Sequence, residues 1–146
     1  MDTSIVPNSH TRRPRAAAPK GGFDRARLDE RLEALRRDAP GDDAAFRRES
    51  VELFRERLET CRAASRRALE EGGTGRACAA RLSDHEDNLI RAIHDWAARY
   101  FHPGLPTSAR PTIVAVGGYG RGMLAPGSDI DLLFLLPGAP APLGAP

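Results

Sequence analysis

The chain has 146 residues, a length typical of one domain of ordinary size. Its 22 Lys and Arg nearly balance 20 Asp and Glu, and the formal charge of +2 excludes both a strongly cationic nucleic-acid binder and an acidic tail protein. No apolar run approaches the roughly 20 residues that span a bilayer, and two cysteines cannot build a secreted-type disulfide framework. The N-terminus has no apolar signal segment, so we expect the protein in the cytoplasm, with neither a membrane nor nucleic acid as a partner.

Residues 1–22 differ in composition from the rest of the chain. They contain proline, paired glycines and an excess of basic over acidic residues, and they have no aromatic side chain. Such a segment cannot bury enough apolar surface to fold, so we predict a disordered basic arm. A basic arm can touch a phosphorylated partner, but a solvated leader is the simpler interpretation.

Residues 23–102 have the apolar spacing of three amphipathic helices. Proline and glycine interrupt helices, so we expect the first helix to end before Pro40, the second at Gly72-Gly73 and the third before Pro103. The apolar faces consist of Leu28, Leu32 and Leu35; Phe54, Leu58, Cys61, Ser65 and Ala68 or Leu69; and Leu82, Leu89, Ile93, Trp96 and Tyr100. We predict a helical region that packs but carries no chemistry of its own.

The final third of the sequence is of β type. Thr112–Val116 is a β-branched apolar run that ends at two glycines, and residues 130–136 form a second apolar run. Both runs are typical of strands in the interior of a sheet, apolar on both faces. Because two strands do not make a stable sheet alone, we predict an α+β fold whose sheet is incomplete. Residues 110–136 are then the truncated start of a second domain, and residues 137–146 a Pro/Gly/Ala tail.

The segment Val116–Phe134, which reads VGGYGRGMLAPGSDIDLLF, combines a glycine turn with two acids. A strand alternates its faces, so we expect Asp129 and Asp131 to point to the same side. Two unpaired carboxylates on an apolar strand are costly to bury, and a cation should lie between them. Mg²⁺ suits this position because it prefers carboxylate oxygens and keeps places for substrate phosphates. A solvated edge strand is the alternative interpretation of the acid pair taken alone.

The glycines add a second part of the site. Gly117 and Gly118 follow the first strand directly, so the backbone can turn tightly and bring its N–H groups close to phosphate oxygens. Arg121 and the Ser128 hydroxyl are candidate phosphate contacts, although Arg121 fits a plain surface position equally well. Tyr119 is compatible either with stacking on a base or with packing against the sheet.

Two other glycine motifs do not fit this segment. A P-loop requires Gly-Lys-Ser/Thr, and no lysine lies within reach. GRGMLA matches the GxGxxA pattern of a dinucleotide-binding turn, but Pro126-Gly127 would break the helix that must follow. The pair His94-Asp95 occurs in hydrolases with a distant His and Asp, but here it flanks an amphipathic helix and we interpret it as structural.

The order hydrophobic-Gly-Gly, ten residues, Asp-hydrophobic-Asp resembles the signature of the DNA polymerase β-like nucleotidyltransferase superfamily. The longer string GGYGRGMLAPGSDIDLLFLL resembles the bacterial PII uridylyltransferase/uridylyl-removing enzymes. This resemblance implies the first strands of a nucleotidyltransferase mixed sheet and transfer of UMP from UTP to a tyrosine of the PII signal protein. It implies Mg²⁺ at Asp129 and Asp131, and contacts from Gly117, Gly118 and Ser128 to the triphosphate.

The chain departs from the family pattern in two ways. Met123 stands where the family often has an acidic residue, a change that we expect to be tolerated because the position is not a metal ligand. The superfamily needs a third carboxylate from a later strand, and no Asp or Glu follows Asp131. We therefore expect an incomplete N-terminal fragment that is inactive alone. The alternatives are another nucleotidyltransferase, such as an adenylyltransferase of glutamine synthetase or a small-molecule modifier, and a non-catalytic helical module with a degenerate sheet.

Overall fold

The computed structural model describes residues 23–106 and 109–137, so the predicted arm at 1–22 and the tail beyond residue 137 lie outside the described part. The elements in chain order are α1 (Arg25–Asp38), α2 (Asp43–Glu70), α3 (Gly75–Tyr100), β1 (Thr112–Val116), α4 (Gly117–Gly120) and β2 (Asp131–Leu135). The predicted α+β class, with helices before the strands, is confirmed. None of the described helices combines the length and apolar character that crossing a membrane requires.

Each long helix begins at a side chain that accepts a backbone N–H bond. Asp24 accepts from the third residue beyond it at 3.0 Å, Asp42 does the same at 2.8 Å and Thr74 at 3.1 Å. Gly41 and Gly72 have left-handed φ angles of 82° and 97°, which let the chain leave one helix and enter the next. These local signals explain why the predicted interruptions separate three helices.

The three long helices share one apolar core, which consists of Leu28, Leu32, Leu53, Phe54, Leu89 and Ala92. Beside it, the indole N–H of Trp96 donates to the hydroxyl of the fully buried Ser50 at 3.2 Å. Ile93 was predicted to lie on the buried face of α3, but it is 37% exposed. The buried stripe of α3 passes through the small Ala92 instead, and Ile93 lies on its flank.

The two strands form an antiparallel pair in which Val116 lies opposite Asp131. Ala115 and Leu132 pack toward a second core cluster, which joins α3 to the segment after β1. The prediction that both strands are buried on both faces does not hold for residues 109–137, since Phe134 is 57% exposed. Within the described part of the chain, α3 covers one face of the pair only partly.

Candidate active site

The turn after β1 requires glycine at two positions. Gly117 has a left-handed φ of 63°, and a Cβ placed on it would lie 2.5 Å from Oδ2 of Asp131. A Cβ on Gly120 would lie 2.5 Å from the carbonyl oxygen of Ala115 in β1. The absence of a side chain at Gly117 therefore makes room for the Asp131 carboxylate. The structure brings the first glycine and the second aspartate of the motif together.

Tyr119 anchors the glycine turn to the helical region. Its side chain is buried with Cys78, Leu82 and Leu124, and its hydroxyl donates to Oδ1 of Asp87 in α3 at 2.7 Å. Burial raises the pKa of Tyr119 above its ordinary value, and the hydrogen bond to Asp87 raises it further, so the phenol stays a proton donor. Of the two interpretations of Tyr119, packing is the one that the structure shows.

The segment after the glycine turn is held by a second anchor and a tight turn. Leu124 is buried, and its backbone N–H donates to the hydroxyl of Ser83 in α3 at 2.9 Å. Residues 125–128 then form a β-turn, in which the Ser128 N–H donates to the Ala125 carbonyl at 3.1 Å. Proline at its second position and Gly127 at its third, with φ of 78°, are typical of a type II turn. This turn places the exposed Ser128 directly before the acid pair.

The two aspartates differ in their backbone setting. Asp131 is the first residue of β2, whereas Asp129 lies in the loop before it, so the strand-alternation argument does not apply to Asp129. The strand pair ends at Val116 opposite Asp131, because Gly117 turns β1 away and leaves residues 129 and 130 without a pairing partner. Both carboxylates are exposed, and neither has a hydrogen bond or ion pair with another described residue. No arginine in residues 23–106 or 109–137 neutralises the pair.

The donor set fits part of a magnesium site. Asp129 and Asp131 supply the hard carboxylate oxygens that Mg²⁺ prefers, and Gly117, which has no side chain, lets Oδ2 of Asp131 lie against the turn. The described residues contain no group of three or more His, Cys, Asp or Glu that could hold a metal ion. Two carboxylates alone are nevertheless compatible with Mg²⁺, which is often bound by one or two carboxylates together with substrate phosphates and water.

One guanidinium nitrogen of Arg121 lies close to Gly118. A Cβ on Gly118 would be 3.9 Å from Nη2 of Arg121, and the Gly118 carbonyl accepts the backbone N–H groups of Arg121 and Met123 at 3.2 and 3.3 Å. The Arg121 side chain is exposed and has no ion pair within the described part of the chain. The structure thus brings Gly117, Gly118, Arg121 and Asp131 together. Their roles toward a nucleotide stay predictions, as does the tolerance of the exposed Met123.

A groove with a volume of about 740 Å³ lies between α3 and β1, and neither Asp129 nor Asp131 lines it. Leu132 lines it, and because adjacent strand residues point to opposite faces, Asp131 lies on the other side of the strand pair. His94 also lines the groove, and its Nδ1 atom lies 3.6 Å from Oδ1 of Asp95. The groove borders the glycine turn at Tyr119, Gly120 and Gly122, but it lies on the face of the strand pair away from Asp131.

Sequence reasoning missed the contribution of α3 to the site. Ser83 and Asp87 hold the segments on either side of the exposed glycines, in a region that was predicted to carry no chemistry. Their spacing of four residues places both on one helix face, and this was the available signal. It identifies a polar stripe but not its partner.

The comparisons with known proteins identify relatives of the chain by sequence. Residues 108–141 match the nucleotidyltransferase domain family. The chain is 42% identical over 117 residues to the bifunctional uridylyltransferase/uridylyl-removing enzyme of Bradyrhizobium diazoefficiens, covering 79% of the chain and 13% of that protein. Identity to the enzyme of the same description from Rhodopseudomonas palustris is 40% over 126 residues, or 85% of the chain and 14% of the relative. No solved structure matches the chain.

The strand, glycine turn and second strand are those of a nucleotidyltransferase domain. The chain belongs to the family of bifunctional uridylyltransferase/uridylyl-removing enzymes. It spans 13% to 14% of the length of these two relatives.

Proposed function

We propose that this chain supplies the glycine turn and two carboxylates of a Mg²⁺-dependent uridylyltransferase, which transfers UMP from UTP to a tyrosine of the PII signal protein. The observation that carries the proposal is the contact between Gly117 and Asp131, where a missing side chain makes room for a carboxylate beside a turn. A left-handed glycine lets the backbone N–H groups approach phosphate oxygens, and an unpaired carboxylate beside it can bind the cation that accompanies those phosphates.

In the proposed reaction the tyrosine oxygen of the acceptor attacks the α-phosphorus of UTP. A new oxygen–phosphorus bond forms and the bond from the α-phosphorus to the bridging oxygen breaks, so that pyrophosphate leaves with that oxygen and the phenolic proton of the tyrosine passes to water. Gly117 and Gly118 let the backbone approach the phosphates, and Arg121 and Ser128 orient them. Asp129 and Asp131 would hold Mg²⁺, which when bound offsets the negative charge of the phosphates.

The chain has no Asp or Glu after Asp131, and the family resemblance implies a third carboxylate at such a site. We therefore propose that it binds nucleotide weakly and does not catalyse transfer by itself. Transfer then requires a third carboxylate from a further segment.

The first experiment measures UTP binding to the chain by titration calorimetry, with and without Mg²⁺. We expect Asp131→Asn and Asp129→Asn each to reduce the Mg²⁺-dependent affinity by about tenfold or more. The matched control is Asp38→Asn, since Asp38 is also exposed and has no ion pair within the described residues. Equal affinities for the site variants and the control would refute the metal assignment.

The second experiment tests transfer itself. Residues 23–136 of this chain replace the matched segment of the Rhodopseudomonas palustris enzyme, and the incorporation of labelled nucleotide into PII is measured with UTP, which donates UMP, and with ATP, which donates AMP. We expect incorporation from UTP that Asp131→Asn abolishes. Incorporation from ATP instead would favour an adenylyltransferase, and no incorporation with a correctly folded chimera would favour a non-catalytic module.

A further inference from the structure

A second groove, with a volume of about 180 Å³, lies where the turn at residues 125–128 approaches the long helices. Its walls come from the C-terminal half of α2, the N-terminal half of α3 and the turn, and they include Arg62, Arg66, Leu69, Leu82, Leu124 and Ser128. The groove therefore joins the helical region to the residue that directly precedes the acid pair.

The basic wall of this groove is built from one helix face. Arg62 and Arg66 are four residues apart on α2 and point to the same side. An Nη2 atom of Arg62 lies 3.2 Å from Oε1 of Glu86, whose side chain is only 4% exposed, and this pair holds Arg62 in place. Arg66 has no ion pair within the described part of the chain. One arginine is thus fixed, and the other is available to an anion.

The opposite wall includes Ser128, and the backbone limits the distance from Ser128 to the acid pair. Three Cα steps separate Ser128 from Asp131, so their Cα atoms lie at most about 11 Å apart. The groove wall at Ser128 is therefore close enough to Asp131 for one nucleotide to contact both. Two guanidinium groups and a hydroxyl are the donors that proteins use for phosphate oxygens.

We infer that this groove receives the terminal phosphates of the nucleotide, which leave as pyrophosphate, and that the Arg66 guanidinium binds them. The inference rests on the proposed function, because it places the rest of the nucleotide at Asp131. It goes further by assigning to α2, an element outside the glycine-and-aspartate motif, a direct part in ligand binding.

The test measures the binding of pyrophosphate to the whole chain by titration calorimetry in the absence of metal. We expect Arg66→Ala to weaken pyrophosphate binding by about tenfold, the effect of losing a charge-assisted contact. The control is Arg67→Ala, which removes a neighbouring arginine that is also exposed but does not line the groove, and which should change the affinity less than twofold. Arg66→Lys, which keeps the charge but loses the forked geometry, should restore part of the affinity.

A second arm separates the terminal phosphates from the rest of the nucleotide. Arg66→Ala should weaken the binding of UTP but leave the binding of UMP unchanged, since UMP lacks the groups assigned to the groove. The inference is overturned if the wild-type chain does not bind pyrophosphate, if Arg66→Ala and Arg67→Ala behave alike, or if UMP binding falls as much as UTP binding. Loss of affinity only for an acidic peptide would also overturn it, and would make the groove a protein-docking site.

The outcomes distinguish this inference from the proposed function. Metal-free pyrophosphate binding requires neither Asp129 nor Asp131, so their Asn variants should not weaken it. If those variants lose Mg²⁺-dependent UTP binding while Arg66→Ala has no effect, the function stands and the groove assignment fails. If Arg66→Ala alone has an effect, the groove stands and the metal assignment fails.

Discussion

Replacing Gly117 by alanine tests the contact on which the functional proposal depends. The substitution has two consequences that the structure separates. The alanine must adopt a left-handed φ of 63°, and its Cβ would lie 2.5 Å from Oδ2 of Asp131. Gly122 offers a matched control. Its φ is 70°, but a Cβ there meets no atom within 4 Å.

The expected magnitudes follow from these two consequences. A left-handed conformation costs a non-glycine residue roughly 1–2 kcal/mol, so both variants should lose about that much free energy of unfolding. In Gly117→Ala the Cβ also approaches a carboxylate oxygen much more closely than van der Waals contact allows. Because Asp131 is exposed, its side chain can rotate away, so we expect the added effect to appear in ligand binding more than in stability.

The assays are urea unfolding followed by circular dichroism, and calorimetric UTP binding with and without Mg²⁺. Gly117→Ala should lower the Mg²⁺-dependent affinity for UTP by about tenfold or more, as displacing a metal ligand does. Gly122→Ala should lose about as much free energy of unfolding as Gly117→Ala does, but its Mg²⁺-dependent affinity for UTP should stay within about twofold of wild type. If the two variants bind UTP equally well in the presence of Mg²⁺, the contact between Gly117 and Asp131 has no functional meaning and our reasoning is wrong.

Three further predictions concern the helical region and its anchor. Tyr119→Phe removes the hydrogen bond to Asp87 and should lower the free energy of unfolding by about 1 kcal/mol in urea denaturation, whereas an unchanged midpoint would mean that the bond adds no stability. Because the folded-state pKa of Tyr119 is raised, its contribution to stability should be complete below pH 10.0, the ordinary pKa, and decline as the pH rises above it, a decline that Tyr119→Phe should reduce. Burial lowers the pKa of His85, whose ring nitrogens have no hydrogen-bond partner, so stability should fall as the pH drops below its ordinary pKa of 6.5. His85→Leu should reduce the dependence of the thermal unfolding midpoint on pH below 6.5. An equally steep dependence in the variant would assign the effect to other groups.

Local signals predicted the helices well because they act over a few residues. The break near Gly41 and the cap at Asp42 are neighbours in the sequence, and the apolar spacing of Leu28 and Leu32 needs only one turn of helix to be recognised. Phe46 was not predicted, although it is fully buried. Its ring packs against aromatic side chains at the end of α3, and sequence spacing within one helix carries no information about such a distant partner.

The candidate site divides in the same way. The glycines and aspartates were recognisable because they form one continuous motif, and the structure shows the contact between Gly117 and Asp131. The role of Tyr119 was left open from sequence, because its partner Asp87 lies 32 positions away on another element. The start of β2 was misplaced by one residue, since the pairing ends where Gly117 turns and not where the apolar run begins.

The anchors explain why a nucleotidyltransferase motif of few residues needs helices in front of it. Tyr119 and Leu124 fix two points of the loop on α3, and Gly120 and Gly122 between them are exposed. A loop rich in glycine has many conformations in isolation, and ordering it at the moment of ligand binding would weaken affinity. Holding both sides of the glycine segment on a rigid helix removes most of that penalty in advance. The helical region is therefore part of the site's geometry, even though α3 supplies none of the predicted metal or phosphate ligands.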